Sequence, residues 1–175
     1  MKIRDYFQLS IRAIHTFLTG RGKPLVGTVI LGDRCNLTCA HCGVGNVRKS
    51  LASYPQVKHD LETLWNAGVR LLFFCGGETF LWEDEGKNLR DLVLEAKAMG
   101  FYAVNVVTNG TLGLDLPEAD LVLLSLDGIG PAHDRIRGEG VYDTVMGNLD
   151  RMSRSNVCLY AAINAWNLDQ IQPLG

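Results

Sequence analysis

Apolar positions along this chain change their period several times. Within residues 3–18, Ile3, Tyr6, Phe7, Leu9, Ile11, Ile14, Phe17 and Leu18 fall mostly at helical spacing, and Lys2, Arg4, Arg12 and His15 supply a basic face. The stripe predicts an amphipathic N-terminal helix. Two placements fit it: packed on the body of the domain, or lying on a membrane surface, as basic amphipathic segments do. Gly20-Arg21-Gly22-Lys23-Pro24 then ends the helix and connects onward.

After that connector the pattern alternates. Residues 26–31 form an apolar run read as a strand, followed by a cysteine-rich loop. Ser53-Tyr54-Pro55 is a helix-start signal, and Val57, Leu61, Leu64 and Trp65 recur at helical spacing up to Gly68. Residues 69–74 are too short an apolar run for a helix and read as a buried strand. Residues 85–99 are amphipathic, with Leu89, Leu92, Val93 and Ala96 inward, and Gly100 closes them. Strands are expected at 101–107, 121–126 and 157–163, with a helix through Tyr142, Val145, Met146, Leu149 and Met152, and a last helix starting near Asn167-Leu168-Asp169. Aliphatic strands alternating with helices predict an α/β fold built on a parallel (βα)n partial barrel of five to six strands. Residues 1–24 are an N-terminal helical extension and residues 25–175 the core. Five strands are too few for an eight-stranded barrel, and Pro173-Leu174-Gly175 reads as the middle of something, so the core is expected to be incomplete at its C-terminus.

Composition adds bounds. A chain of 175 residues suffices for one domain, and 47% apolar with 21% charged residues is ordinary globular usage. A formal net charge of -2 gives no electrostatic reason to expect nucleic acid as a partner. The start shows no apolar signal region and no run long enough to cross a bilayer. Five cysteines, an odd count, fit a reduced cytoplasmic setting better than a disulfide framework.

The candidate chemistry lies in Cys35-Asn36-Leu37-Thr38-Cys39-Ala40-His41-Cys42, directly after the first strand. Thiolates hold iron–sulfur clusters, usually four per cluster, and here a local trio has no obvious fourth partner. Three thiolates on a four-iron cluster leave one iron open to a small molecule, as catalytic zinc keeps an open position. A Cys3His zinc site including His41 and a chance grouping of buried cysteines are the alternatives. Cys75 and Cys158 sit in apolar strands and read as core packing, as do Trp65, Trp82 and Trp166. Further polar stretches follow the later strands: Cys75-Gly76-Gly77-Glu78, Thr108-Asn109-Gly110 and Ser125-Leu126-Asp127-Gly128. A parallel sheet carries its chemistry at the carboxyl ends of its strands, so all four stretches should share one face. Glycines at 76 and 77 permit close backbone approach, and Glu78 offers an acceptor for a ligand ammonium. By themselves the two glycines also fit a tight turn ending a strand.

Cys35-x3-Cys39-x2-Cys42 after a first strand resembles the signature of the radical S-adenosylmethionine superfamily. Gly76-Gly77-Glu78 is similar to that family's Gly-Gly-Glu motif, and the resemblance continues in order through Thr108-Asn109-Gly110 and Ser125-Leu126-Asp127-Gly128. Thr79 stands where the family often has Pro, a departure expected to be tolerated. The resemblance implies a [4Fe-4S] cluster on Cys35, Cys39 and Cys42, whose open iron chelates the methionine end of S-adenosylmethionine. It implies that Gly76, Gly77 and Glu78 contact the amino group and that His41 takes the place of an aromatic residue beside the adenine. Ser125 and Asp127 are placed for the ribose hydroxyls or the methionine carboxylate, and Arg137 for bidentate pairing with that carboxylate. The alternative for Arg135 and Arg137 is a solvated loop. Asn109 and Asn164 are weaker strand-end candidates, Asn164 meeting the adenine only if the fifth strand runs as read.

The implied activity is reductive cleavage of S-adenosylmethionine to a 5'-deoxyadenosyl radical that abstracts hydrogen from a substrate. That substrate is a peptide or protein in one subclass and a lipid or isoprenoid in another. A small electron donor of ferredoxin or flavodoxin type is the implied partner, and membrane-surface contact through residues 3–18 the further one. A truncated non-catalytic fragment and a zinc-stabilised binding module are the non-enzyme alternatives.

Overall fold

The computed structural model describes residues 3–152 and 156–174. Five parallel strands form one sheet: β1 (Val26–Ile30), β2 (Leu71–Cys75), then, past a two-stranded hairpin of β3 (Glu83–Asp84) and β4 (Lys87–Asn88), β5 (Ala103–Thr108), β6 (Leu121–Ser125) and β7 (Val157–Tyr160). Their spatial order is β1-β2-β5-β6-β7, so each main strand lies beside the next in sequence. Pairs such as Ile30↔Cys75, Phe74↔Val106 and Thr108↔Leu124 bring the carboxyl ends of the strands to one rim.

Helices α2 (Tyr54–Ala67), α3 (Leu89–Met99) and α5 (Val141–Asp150) fill the connections. Strand alternation sends Leu72 and Phe74, Val104 and Val106, Val122 and Leu124 into one core with Val57, Leu61, Leu92, Val93, Ala96 and Val145 of those helices. Ser53 caps α2 by accepting from Gln56 N, and Gly68 ends it in the left-handed region at φ 105°. On the other face, Val26, Ile30, Leu121 and Tyr160 are exposed, and the covering by helices is one-sided among the described residues.

Several boundaries differ from the sequence reading. The helix expected over 85–99 begins at Leu89, because Glu85 and Gly86 turn the small hairpin with positive φ and Asn88 caps the helix in a box with Asp91. The segment around Arg135 and Arg137, for which a loop is expected, forms α4 (Pro131–Arg137): Pro131 starts it, and His133 and Ile136 are buried one turn apart. Seven residues are too few for periodicity to register. The fifth strand of the sheet stops at Tyr160, not residue 163, and is followed by a 3-10 turn (Leu168–Gln170) and α6 (Ile171–Leu174). Cys158 is exposed and Cys75 half-buried, so neither is a core cysteine; Trp166 is half exposed, whereas Trp82 is buried with Nε1 donating to Ala52 O at 2.9 Å.

The largest departure is α1 (Ile3–Thr19). The helix forms as predicted, but its apolar stripe is not the side that packs. Ile3, Tyr6, Phe7, Ile11, Ile14, Phe17 and Leu18 are all exposed and only Leu9, at the edge of the stripe, is half-buried, while Asp5 is buried.

Candidate active site at the carboxyl rim

The cysteine loop is a closed structure built by its own polar side chains. Asp33 accepts from the backbone N–H of Arg48, from Lys49 N at 3.1 Å and Ser50 N at 2.8 Å, and from Ser50 Oγ at 3.0 Å. These donors hold its carboxyl far below the usual carboxylate range. Asn46 accepts from Cys35 N at 2.9 Å and donates to Leu37 O at 3.0 Å. Its φ of +60° suits an asparagine in a Gly-Asn turn. Asp33 and Asn46 were not singled out in the sequence; the Gly45-Asn46 pair was the one local signal.

Glycines fasten this loop to the end of β2. Gly77 N donates to Gly32 O at 3.0 Å and Glu78 N to Arg34 O at 2.9 Å. A Cβ on Gly77 would lie 2.2 Å from Arg34 O, and one on Gly76 2.7 Å from Gly32 O. The missing side chains therefore serve close backbone approach between two loops. On the other side, Ala40 N donates to Ile136 O of α4 at 2.7 Å.

Between these loops lies a cavity of about 270 Å³. Cys35, Cys39, Cys42 and His41 line it from the cysteine loop, Gly76 and Gly77 from the end of β2, Thr108 and Asn109 from β5, Ser125 from β6 and Arg137 from α4. Nine expected residues thus meet in one space: the three cysteines, His41, Gly76, Gly77, Asn109, Ser125 and Arg137. Burial raises the Cys35 and Cys39 thiols above their ordinary value, against the lowering pull of Leu37 N–H on the first and Arg137 on the second. Donors already face two of the sulfurs: Leu37 N and Cys35 Sγ are 3.4 Å apart, Gly45 N and Cys42 Sγ 3.2 Å. Asn109 Nδ2 lies 3.7 Å from Cys35 Sγ.

Three expected residues are placed otherwise. Glu78 is 2% exposed and does not line the cavity. Its carboxylate accepts from Thr108 Oγ1 at 2.7 Å, Phe80 N at 3.0 Å and Asn109 N at 2.8 Å, and burial nevertheless pushes its pKa up. The expected free acceptor is thus an internal tie between β2 and β5, while Gly76 and Gly77 line the cavity. Asp127 is fully buried behind the wall: it accepts from Arg137 Nε at 2.6 Å and Ala162 N at 2.9 Å, with His41 Nε2 at 3.8 Å. Its carboxylate is thus engaged by Arg137 and by the segment after β7 and does not line the cavity. Asn164 lies in the turn beyond the shortened β7, accepting from Trp166 N at 2.8 Å and donating to Ala162 O at 3.1 Å, and is not part of the cavity. Arg135 is exposed and bonded to Trp166 O.

His133, fully buried, accepts from Asp127 N at 3.1 Å through Nδ1, and burial together with Arg137 lowers its pKa to about 4. Asp134 accepts from Gly140 N and Tyr142 N, fixing α4 against α5.

The donor set fits a thiolate-held cluster and a small polar ligand. Among the described residues His41 Nδ1 is buried at the cavity wall without a hydrogen-bond partner, a position of the kind a ligand satisfies. No group of three or more Cys, His, Asp or Glu among the described residues, the three cysteines included, is already gathered tightly enough to enclose a metal, and His41 Nε2 lies 3.8 Å from Asp127 Oδ2.

A parallel α/β sheet with a three-cysteine loop at its carboxyl rim defines the class, and comparison with known proteins defines the family. The family model of the radical SAM superfamily matches residues 29–166. The chain belongs to that superfamily, whose members are enzymes using S-adenosylmethionine and an iron–sulfur cluster. It is 32% identical over 151 residues to the antilisterial bacteriocin subtilosin biosynthesis protein AlbA of Bacillus subtilis, covering 77% of this chain and 33% of AlbA. It is 30% identical over 161 residues to the sporulation killing factor maturation protein SkfB of the same species, covering 85% of this chain and 38% of SkfB. The chain thus spans about a third of the length of these relatives. In fold it resembles Streptococcus suis SuiB bound to its precursor peptide SuiA, with a TM-score of 0.64 at 13% identity over 94% of this chain and 39% of SuiB. SuiB bound to S-adenosylmethionine matches at 0.58, with 14% identity over 86% of this chain and 36% of SuiB.

Proposed function

We propose that the chain is the catalytic core of a radical SAM enzyme, in which Cys35, Cys39 and Cys42 hold a [4Fe-4S] cluster and the cavity beside them holds S-adenosylmethionine. The observation that carries this reading is convergence: three thiols and the loops of three further strands open onto a single cavity. When bound, the pair supplies one-electron cleavage of a sulfonium and hence a 5'-deoxyadenosyl radical for hydrogen abstraction.

The chain's own residues hold, orient and shield. The Leu37 and Gly45 N–H groups offset thiolate charge, as outer hydrogen bonds do around metal ligands. Arg137, kept in place by Asp127, presents a guanidinium for the ligand carboxylate. The Gly76-Gly77 segment faces the amino group, Asn109 and Ser125 offer polar contacts to the nucleoside, and His41 offers its unpartnered Nδ1 to the adenine end. Walls of Leu37 and Val107 limit water around the reacting atoms. A reduced cytoplasmic setting keeps the thiols available, and a small one-electron donor of ferredoxin or flavodoxin type serves as partner.

The substrate class favoured is a peptide or protein. Support comes from the names of the relatives, a bacteriocin biosynthesis protein and a killing-factor maturation protein, and from the fold's likeness to SuiB, which is described with a precursor peptide.

Anaerobic reconstitution tests the assignment. The expected result is a brown protein with about four irons per chain that cleaves S-adenosylmethionine under dithionite. One tightly bound zinc and no iron uptake would establish the binding-module alternative instead.

A further inference from the structure

Helix α1 is turned the wrong way round for a helix that merely packs. Its 3.6-residue period puts Gln8, Arg12, Asp5 and Thr16 on one face and Tyr6, Phe17, Ile3, Ile14, Phe7, Leu18 and Ile11 on the other. The polar face is the docked one. Asp5 is buried, Tyr102 Oη donates to Gln8, and Arg12 Nη1 is buried with Nη2 against Gly68. All seven large apolar side chains on the opposite face are at least half exposed.

The charges left outside have one sign. Arg4 lies along one edge of the apolar stripe, 3.8 Å from Asp5, and Arg21 and Lys23 follow in the connector; all three cations are exposed. The single acid of the helix, Asp5, is the residue turned inward. An apolar stripe edged by cations matches an anionic lipid surface, with aromatic and aliphatic side chains entering the acyl boundary and cations meeting headgroups. No helix among the described residues is long and apolar enough to cross a membrane, so this contact is peripheral.

Topology then fixes an orientation. The residues that α1 touches, Gly68 and Tyr102, immediately precede β2 and β5, at the amino ends of the strands. The cavity is at the carboxyl ends. Strands of five or six residues separate the two rims by roughly 15–20 Å. We propose that α1 seats the domain on an anionic bilayer surface with the cysteine-loop cavity turned away from the lipid, open to substrate arriving from water.

Vesicle flotation of the whole chain tests this without any cluster or substrate, so its failure is separate from failure of the proposed radical chemistry. With vesicles of phosphatidylcholine containing about 30% phosphatidylglycerol, the protein floats; with phosphatidylcholine alone it floats far less. Phe7→Glu with Phe17→Glu lowers the bound fraction at least about tenfold at an unchanged melting temperature, and Arg21→Glu with Lys23→Glu weakens binding to the anionic vesicles. For orientation, Phe17→Trp is quenched by brominated acyl chains, and Val44→Trp, at the cysteine loop, by aqueous acrylamide, each against the parent chain's signal. Equal absence of flotation from both vesicle types overturns the inference. So does a stable dimer that Phe17→Glu dissociates without vesicle binding, which would make the stripe a contact between copies. Bromolipid quenching of Val44→Trp overturns the orientation.

Discussion

The carboxyl rim of the sheet and its amino rim use their polar side chains in opposite ways. At the carboxyl rim, polar groups are consumed in joining loops. Glu78 ties β2 to β5, Asp127 ties β6 to α4 and the segment after β7, and Asp33 closes the cysteine loop on itself. What remains facing the cavity is held in place by neighbours, of which Glu78 and Asp127 are buried and Asp33 is partly exposed. At the amino rim, polar groups of α1 are used to dock the helix, and the apolar groups are left over. A site needs its ligand-facing groups fixed before the ligand arrives, whereas a docking stripe needs only to be present and uncovered. The contrast separates residues that shape a cavity from residues that address a surface.

That contrast can be broken most strongly at the cysteines. Cys39→Ala is expected to reduce reconstituted iron to background, whereas Cys75→Ala retains it, read by iron analysis and visible absorbance; equal loss in both would remove Cys35, Cys39 and Cys42 as the ligand set. Next comes Asp127→Asn, which strips a buried partner from Arg137 and should cost about 3 kcal/mol of stability in chemical denaturation. An effect below about 0.5 kcal/mol would mean that Asp127 is not the tie the geometry suggests. Gly77→Ala drives a methyl into Arg34 O and should cost about 2 kcal/mol, while Gly43→Ala, with open space around it, should be within about 0.5 kcal/mol of the parent.

A pH series sharpens the same comparison. Buried His133 takes up its proton only near pH 4, against 6.5 for the ordinary side chain. The unfolded chain therefore binds the extra proton first, so the stability contributed by neutral His133 is full above pH 6.5 and is lost as pH falls toward 4. His133→Asn should flatten the melting temperature over that window; an unchanged slope would assign it to other groups. The smallest effect is expected at the amino rim, where Phe17→Glu should leave the melting temperature unaltered, because the ring is 89% exposed. A fall of several degrees would show that the stripe packs on the domain after all.

Much of the site was legible because its signals are local. Three cysteines within eight residues, and glycine or polar residues directly after each apolar run, place themselves once the strands are parallel. The misplaced residues were those whose partners are distant in sequence. Glu78 meets Thr108 and Asn109, and Asp127 meets Arg137 and Ala162, so whether each carboxylate faces a ligand or an inner partner depends on loops folded from other strands. Asn164 was lost differently, by a strand that stops three residues early, at Tyr160.

The sequence by itself determined the sheet's parallel order, the cysteine triad and the gathering of the strand-end motifs on one rim, since periodicity and parallel connection leave little choice. It also determined that α1 is amphipathic. Only the tertiary structure decided which side of α1 meets the body, which carboxylates are spent internally, and that residues 131–137 form a helix. Periodicity says which residues share a face; it takes the complementary polar groups of Tyr102 and the Gly68 turn to say which face docks.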